Sequence, residues 1–357
     1  MLASGNRVTR ALGVRYPVVQ AGMAGGVTTP RLVAAVSEAG GLGTLGAAYL
    51  APEAIREAVR EVRRLTERPF AVNLFVPEPF DAGRYPPEEV DAVLAPYRRE
   101  LGLEGPPGIT SYMQPFEEQL AVVLEERVPV FSFTFGVPAP GQISQLKEAG
   151  TVVFGTATTV REAVELEAAG ADLVAAQGSE AGGHRGTFLG EPEAAMVGTL
   201  ALVPQLADAV GIPVVASGGI MDGRGLAAAL ALGAEGVQMG TAFLVCPESG
   251  AHAGYKRAVL GATEEETTVT RAFSGKPARG LRNRFAAEME GREVPEYPVQ
   301  NAHTRDLRAA AAQQDRTELM SLWAGQAARL ARPLPAAELV EEVVREAASA
   351  LREAGGG

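Results

Sequence analysis

Cysteine occurs once in the 357 residues, at Cys246, tryptophan once, at Trp323, histidine three times, and lysine only at positions 147, 256 and 276. A single cysteine excludes an intrachain disulfide and a cysteine-rich metal site, and it fits a reducing, cytoplasmic setting. Basic residues are outnumbered, Lys+Arg 32 against Asp+Glu 43, for a formal charge of -11. That leaves no basic surface of the kind that neutralises phosphates along a nucleic acid. The N-terminal MLASGNRVTR lacks the apolar core of a secretory signal, and Pro204, Gln205, Asp208 and Pro213 interrupt the apolar stretch 194–220. A soluble protein with no membrane span is expected. No GxxxxGK[ST], HExxH or GxSxG pattern is present, which argues against nucleotide hydrolysis, zinc chemistry and serine hydrolysis. GLGTLG, residues 41–46, has the spacing GxGxxG. A dinucleotide fingerprint follows a strand and opens a helix, whereas here a helical segment precedes and the glycines run into a strand, so the match is read as chance.

What is present is apolar and repetitive. Hydrophobic residues make up 46% of the chain, enough for a large core. An Ala/Glu/Arg-rich helical segment, a glycine and a β-branched run recur, as in KEAGTVVFGTA and EAAGADLVAAQG. Glycine after a helix supplies a left-handed cap, and continuous apolar runs suit strands buried on both faces of a parallel sheet. Eight runs (YPVVQAG, GLGTLG, PFAVNLF, VPVFSFTFG, TVVFGTA, DLVAAQG, IPVVASGG and GVQMGTAFL) predict an α/β fold, a (β/α)8 TIM barrel over residues 1–265. Residues 77–113 are too long for a simple connection and are expected to form a helical insertion over the mouth after strand 3. From about Thr267 no strand signal is read, so 266–357 is expected to be a C-terminal lid segment and helices packed on the barrel. The last of these has the apolar spacing of an amphipathic surface helix.

Barrel chemistry sits where strands end. AAQGSEAGGHRGTF, residues 175–188, surrounds His184 with glycines, and histidine titrates near neutral pH, making His184 the candidate for proton transfer. Gly182 and Gly183 let backbone lie against a ligand; Glu180 is read as an orienting or solvated group and Arg185 as a partner for an acidic one. His252 and His303 lie outside strand ends and are expected at the surface. After strands seven and eight, Gly218, Gly219, Gly240 and Thr241 offer backbone N–H groups of the kind that hold a phosphate, whether of a flavin mononucleotide, a sugar phosphate or pyridoxal phosphate. At the first strand end Gly22, Met23 and Ala24 can lie along a planar ring whose edge an amide, Asn73 or Gln177, can bond, which suits an isoalloxazine. SFTFG, residues 132–136, offers Ser132 and an aromatic wall of Phe133 and Phe135, unless the rings are simply core.

Taken in order, QAGMAGG, PFAVNLF, VFSFTFG, QGSEAGGHRG, ASGGI and QMGTAFL, with the later TRAFSGKPARGLRNRF, resemble the nitronate monooxygenase family, formerly called 2-nitropropane dioxygenases. The resemblance implies an FMN barrel, with flavin contacts at Asn73, Gln177, Gly182, Gly219 and Gln238, Met239, Gly240 and Thr241, and His184 as catalytic base. Ser132, Phe133 and Ser274 are then expected to contact substrate. It further implies oxidation of alkyl nitronates by molecular oxygen to carbonyl compounds and nitrite, with acidic nitroaliphatic compounds such as propionate 3-nitronate as substrates. Relatives sharing the barrel include FMN-dependent NAD(P)H:quinone and enoyl-acyl-carrier-protein reductases, and a phosphate-binding barrel without flavin is a third alternative. Barrels of this kind often pair through outer helices, so a homodimer is compatible with the chain. No metal is expected.

Overall fold

The apolar runs fold as strands because each is flanked by helices that cover it. The computed structural model describes residues 5–355. Its strands are, in chain order, β1 (Val18–Gln20), β2 (Gly43–Gly46), β3 (Phe70–Phe75), β4 (Val130–Thr134), β5 (Val152–Ala157), β6 (Leu173–Gln177), β7 (Gly183–His184), β8 (Val214–Ser217), β9 (Gly236–Met239), β10 (Thr267–Thr270) and β11 (Ala278–Leu281). Eight of them form one parallel sheet in the order β1-β9-β8-β6-β5-β4-β3-β2. A parallel bridge between Val19 and Leu42 joins its two ends, with the Gln20 N–H donating to the Leu42 carbonyl at 2.9 Å, so the sheet closes into the expected barrel.

Alternation along each strand sorts its residues between the barrel interior and the layer beneath the helices. Val19, Ala71, Val130, Phe154, Leu173 and Val215 share one buried cluster with Val8 and Leu12 of the helix Arg7–Leu12. Their neighbours Val18, Val72, Phe131, Val153, Val174 and Val214 belong to the cluster shared with the surrounding helices. GLGTLG runs through β2 after the helix Pro30–Glu38, as expected of a chance match. Its Gly43 is required by packing, since a Cβ there would lie 2.1 Å from the Val33 carbonyl oxygen.

The excursion after β3 contains a 3-10 turn, Ala82–Arg84, and the helix Pro87–Glu100, before the helix Phe116–Glu125 leads into β4. Val90, Leu94, Tyr97 and Leu101 pack in a second core with Phe273, Phe285, Met289 and Leu307, so the two long departures from the barrel cover each other. A buried polar network fastens them. Arg98 reaches Asp91 at 2.9 Å, Asp306 at 3.0 Å and the His303 carbonyl at 2.7 Å, and His303 Nδ1 lies 3.2 Å from Asp91. His303 is therefore interior, contrary to the surface position expected of it. The final helix, Ala336–Gly355, packs on the helices Gly223–Ala231 and Pro30–Glu38 and so fills the outer-ring place that follows β9.

The region after Thr267 does contain strands. β10 pairs antiparallel with β11, and β11 pairs with β7, matching Ala278 to His184 and Arg279 to Gly183. The run ARGL carries too little apolar alternation to be read as a strand alone; it is one because β7 and β10 supply its partners. Among the described residues no helix is long and apolar enough to cross a membrane, and no group of three or more His, Cys, Asp or Glu is placed to hold a metal.

Candidate active site

A cavity of about 730 Å³ opens at the carboxyl ends of the barrel strands. Gly22, Met23 and Ala24 border it after β1, and Asn73 and Ser132 project into it from β3 and β4. Gln177, Gly182, Gly183 and His184 line it after β6; Gly218, Gly219, Gln238, Met239, Gly240 and Thr241 line it after β8 and β9. Strand parity explains the polar set: Asn73, Ser132 and Gln177 share the inward phase of Ala71, Val130 and Ala175.

The same parity removes Phe133. It has no exposure and stacks on Phe131 at 5.6 Å in the layer between sheet and helices, so it is core and not a substrate wall. The wall comes instead from Phe75, Phe135, Tyr297 and Trp323, whose ring centroids lie 6.1, 5.7, 5.9 and 5.6 Å from that of His184. Phe135 holds φ +78, a conformation rare for a bulky residue, which turns its ring toward the histidine at the end of β4.

His184 is fixed from two directions. From the barrel, the Gln177 side chain donates to the His184 carbonyl at 3.0 Å and accepts from the Gly186 N–H at 2.8 Å, so much of its hydrogen-bonding capacity goes to shaping this loop. From the C-terminal segment, β11 pairs with it and the Ser274 hydroxyl lies 2.9 Å from Nε2. Ser274 is only 1% exposed and does not border the cavity; it holds the histidine where a substrate contact was expected. Burial, with Lys276 and Arg308 nearby, pushes the imidazole down from 6.5 to about 3.

The rest of the loop is structural. Glu180 accepts from the Thr199 N–H at 2.8 Å and from its hydroxyl at 2.8 Å, whose single proton it shares with the Gly218 carbonyl 3.0 Å away. Glu180 is thus the orienting group of the two readings. Arg185 donates to the Gln177 and Ala195 carbonyls and meets no carboxylate directly; burial lowers it to about 10. Asn73 donates to Ser132 at 2.7 Å. His252 caps the helix Ala253–Gly261, accepting from the Gly254 N–H at 3.1 Å, and also borders the cavity.

Two features favour an anion. Gly218 and Gly219 take φ +115 and +71, and the N–H groups of Gly219, Gly240 and Thr241 find no acceptor among the described residues. Arg308, at another part of the lining, donates to the Asn301 carbonyl and side chain at 2.8 Å, and neither it nor Arg305 joins an ion pair among the described residues. Burial pushes the Arg308 guanidinium down, and the adjoining Tyr49 and Tyr297 phenols up. Tyr49, Tyr297 and Arg308 carried no signal in the sequence, since they come from turns and helices whose position over the mouth is set by tertiary packing. Trp323, as the sole tryptophan, offered a compositional one.

Known proteins share this architecture. The chain is 49% identical over 348 residues to a probable nitronate monooxygenase of Staphylococcus saprophyticus, covering 96% of this chain and 97% of that one. Among solved structures, the nitroalkane oxidase from Streptomyces ansochromogenes superposes with a TM-score of 0.92 at 44% identity, covering 98% of this chain and 100% of the other. FabK from Thermotoga maritima superposes at 0.78 with 36% identity, covering 99% of each. The sequence pattern of nitronate monooxygenase matches residues 6–346, and the chain belongs to the nitronate monooxygenase family.

Proposed function

We propose that this chain oxidises alkyl nitronates, the anions of nitroalkanes, with molecular oxygen in an FMN-dependent reaction that yields carbonyl compounds and nitrite, and that it does so in the cytoplasm. The observation that carries this reading is a histidine ringed by aromatic side chains in a cavity that also holds unpaired backbone donors and an arginine without a carboxylate partner.

The residues present fit the cofactor. Gly219, Gly240 and Thr241 offer free N–H groups for its phosphate, the backbone of Gly22, Met23 and Ala24 lies along one side for the ring, and Asn73 faces in from β3. FMN, when bound, supplies the electron acceptor that amino-acid side chains lack. The protein's part is proton handling, positioning and exclusion of water. The Ser274 hydroxyl lies 3.2 Å from the Lys276 carbonyl and 2.9 Å from His184 Nε2, and we assign its proton to the carbonyl, with its oxygen accepting from Nε2–H. That tautomer leaves the lone pair on Nδ1, which has no partner among the described residues and accepts the α-proton of a neutral nitroalkane. Arg308 attracts the resulting anion, while Phe75, Phe135, Tyr297 and Trp323 keep the site dry around His184.

The likeness to FabK keeps a second reading, an FMN-dependent NAD(P)H reductase, in the same test. The purified protein is mixed anaerobically with a small alkyl nitronate and, separately, with NADH or NADPH, and the flavin absorbance is followed. Rapid reduction by the nitronate with inert pyridine nucleotides is expected. Rapid bleaching by NADH or NADPH with an inert nitronate overturns the proposal in favour of the reductase, and a colourless protein overturns both.

A further inference from the structure

Lys276 is one of three lysines in the chain and only 7% exposed. It sits in the turn between Ser274, which holds His184, and Ala278, which pairs with it. Its ammonium lies 4.4 Å from the centroid of Phe135, the residue held at φ +78 whose ring packs nearly perpendicular to that of His184, 5.7 Å between centroids. It also pairs at 2.5 Å with Glu78, from the segment that leaves β3 for the excursion. A buried cation held against the ring that packs on an imidazole opposes the imidazole's protonation, and an aromatic face is a surface on which a cation is stabilised.

We propose that Lys276 is a positioning residue for His184: a buried cation, anchored by Glu78 and faced by Phe135, that keeps the imidazole in its uncharged, proton-accepting form. The consequence for catalysis rests on the base role proposed above; the electrostatic claim stands without it. The charged and titratable groups around His184 leave Lys276 a distinct part. Arg308 is the second cation acting on the imidazole, and the Tyr297 phenol is held neutral by burial. Arg185, next along the chain, turns its guanidinium to the Gln177 and Ala195 carbonyls, and Arg279, across in β11, reaches the Ser179 carbonyl at 2.9 Å. The Glu180 carboxylate is turned to Thr199. Phe75 and Trp323 are uncharged. Glu78 is the acidic group on the Lys276 side, and it is more exposed than the lysine it anchors.

An ion pair joining the excursion to the β11 turn has an obvious alternative role as a tether. The two roles separate by sign. Removing the cation by Lys276→Met lifts the barrier to charging His184, whereas Glu78→Gln breaks the same tether but leaves the cation in place. The test is a pH titration of the histidine Cε1–H NMR signals of the flavin-loaded protein, with His184 assigned by its loss in His184→Asn. Only three such signals exist. Lys276→Met is expected to raise the His184 midpoint by about one pH unit or more, a tenfold or greater change in proton affinity. Lys276→Gln, which can still hydrogen-bond Glu78, is expected to do the same if Lys276→Met fails to fold. Glu78→Gln is expected not to raise the midpoint, and Lys276→Arg to keep it low. An unchanged midpoint in the neutral variants overturns the proposal, and so does an equal rise in Glu78→Gln, which would assign the pair a tethering role alone. Because the readout is protonation and not turnover, its outcome is independent of whether nitronates prove to be the substrates.

Discussion

Replacing His184 by asparagine removes the imidazole from the cavity while leaving a shorter polar side chain in its place. Proton abstraction by a positioned general base contributes about 10²–10⁴-fold, or about 3–5 kcal/mol of barrier. A neutral nitroalkane needs that proton removed, and a preformed nitronate has already lost it. The variant is therefore expected to lose about 10²–10⁴-fold in kcat/KM with a neutral nitroalkane and less than about tenfold with its nitronate. Flavin content should be unchanged, since the side-chain contacts of His184 are with Ser274 and the aromatic rings, away from the free N–H groups of Gly219, Gly240 and Thr241. Equal losses on both substrates would refute proton abstraction and leave His184 a binding group.

The pH dependence provides an independent check on the same residue. A base works when deprotonated, so its contribution is present above its pKa and lost as pH falls through it. Burial and the neighbouring cations hold His184 at about 3, against an ordinary value of 6.5. The kcat/KM profile for a neutral nitroalkane should then show no acid limb near 6.5 and stay level toward the acid end of the protein's stable range. A limb centred near 6.5 that disappears in His184→Asn would refute the environment described for the imidazole.

Three further outcomes follow from the geometry. Phe133→Ala should destabilise the protein by about 3–5 kcal/mol in urea unfolding, yet leave KM within about twofold; a larger change in KM than in stability would restore Phe133 to the substrate wall. Gly218→Ala places a side chain at φ +115 with its Cβ 3.0 Å from the Ala181 N–H, so flavin retention on gel filtration should fall, and full retention would count against the phosphate assignment. Arg308→Met should raise KM for a nitronate about tenfold or more, on the scale of one lost charge-assisted hydrogen bond, with little change in kcat; an unchanged KM would remove Arg308 from anion binding.

The barrel was legible because its strands are buried on both faces and so appear as apolar runs between glycine-capped helices. The polar residues at strand ends were legible for the same reason: Asn73, Ser132 and Gln177 interrupt runs that are otherwise apolar. Ser132 and Phe133 cannot both face the cavity, since adjacent strand residues face opposite sides, and Phe133 is the one that turns to the helices. Ser274 was found, but with the wrong partner, because its contact with His184 spans two segments ninety residues apart and depends on the β7–β11 pairing. His303 was misplaced for a related reason. Its burial comes from an ionic network between the two excursions, and neither segment alone predicts the other's approach.

The placement of His184 shows why the barrel alone would not make this site. Gln177 of β6 grips the backbone just after the imidazole, at the His184 carbonyl and the Gly186 N–H, which fixes the strand but leaves the ring free to turn. The C-terminal segment supplies what is missing: the Ser274 hydroxyl, in the turn before β11, lies 2.9 Å from Nε2, and Tyr297 and Trp323 close around the ring. A rotation of the imidazole would break the Ser274 bond, and a shift of its backbone would break either the Gln177 clamp or the ladder to Ala278. The orientation of the imidazole is thus set jointly by the barrel and by a segment that joins it from ninety residues further along the chain.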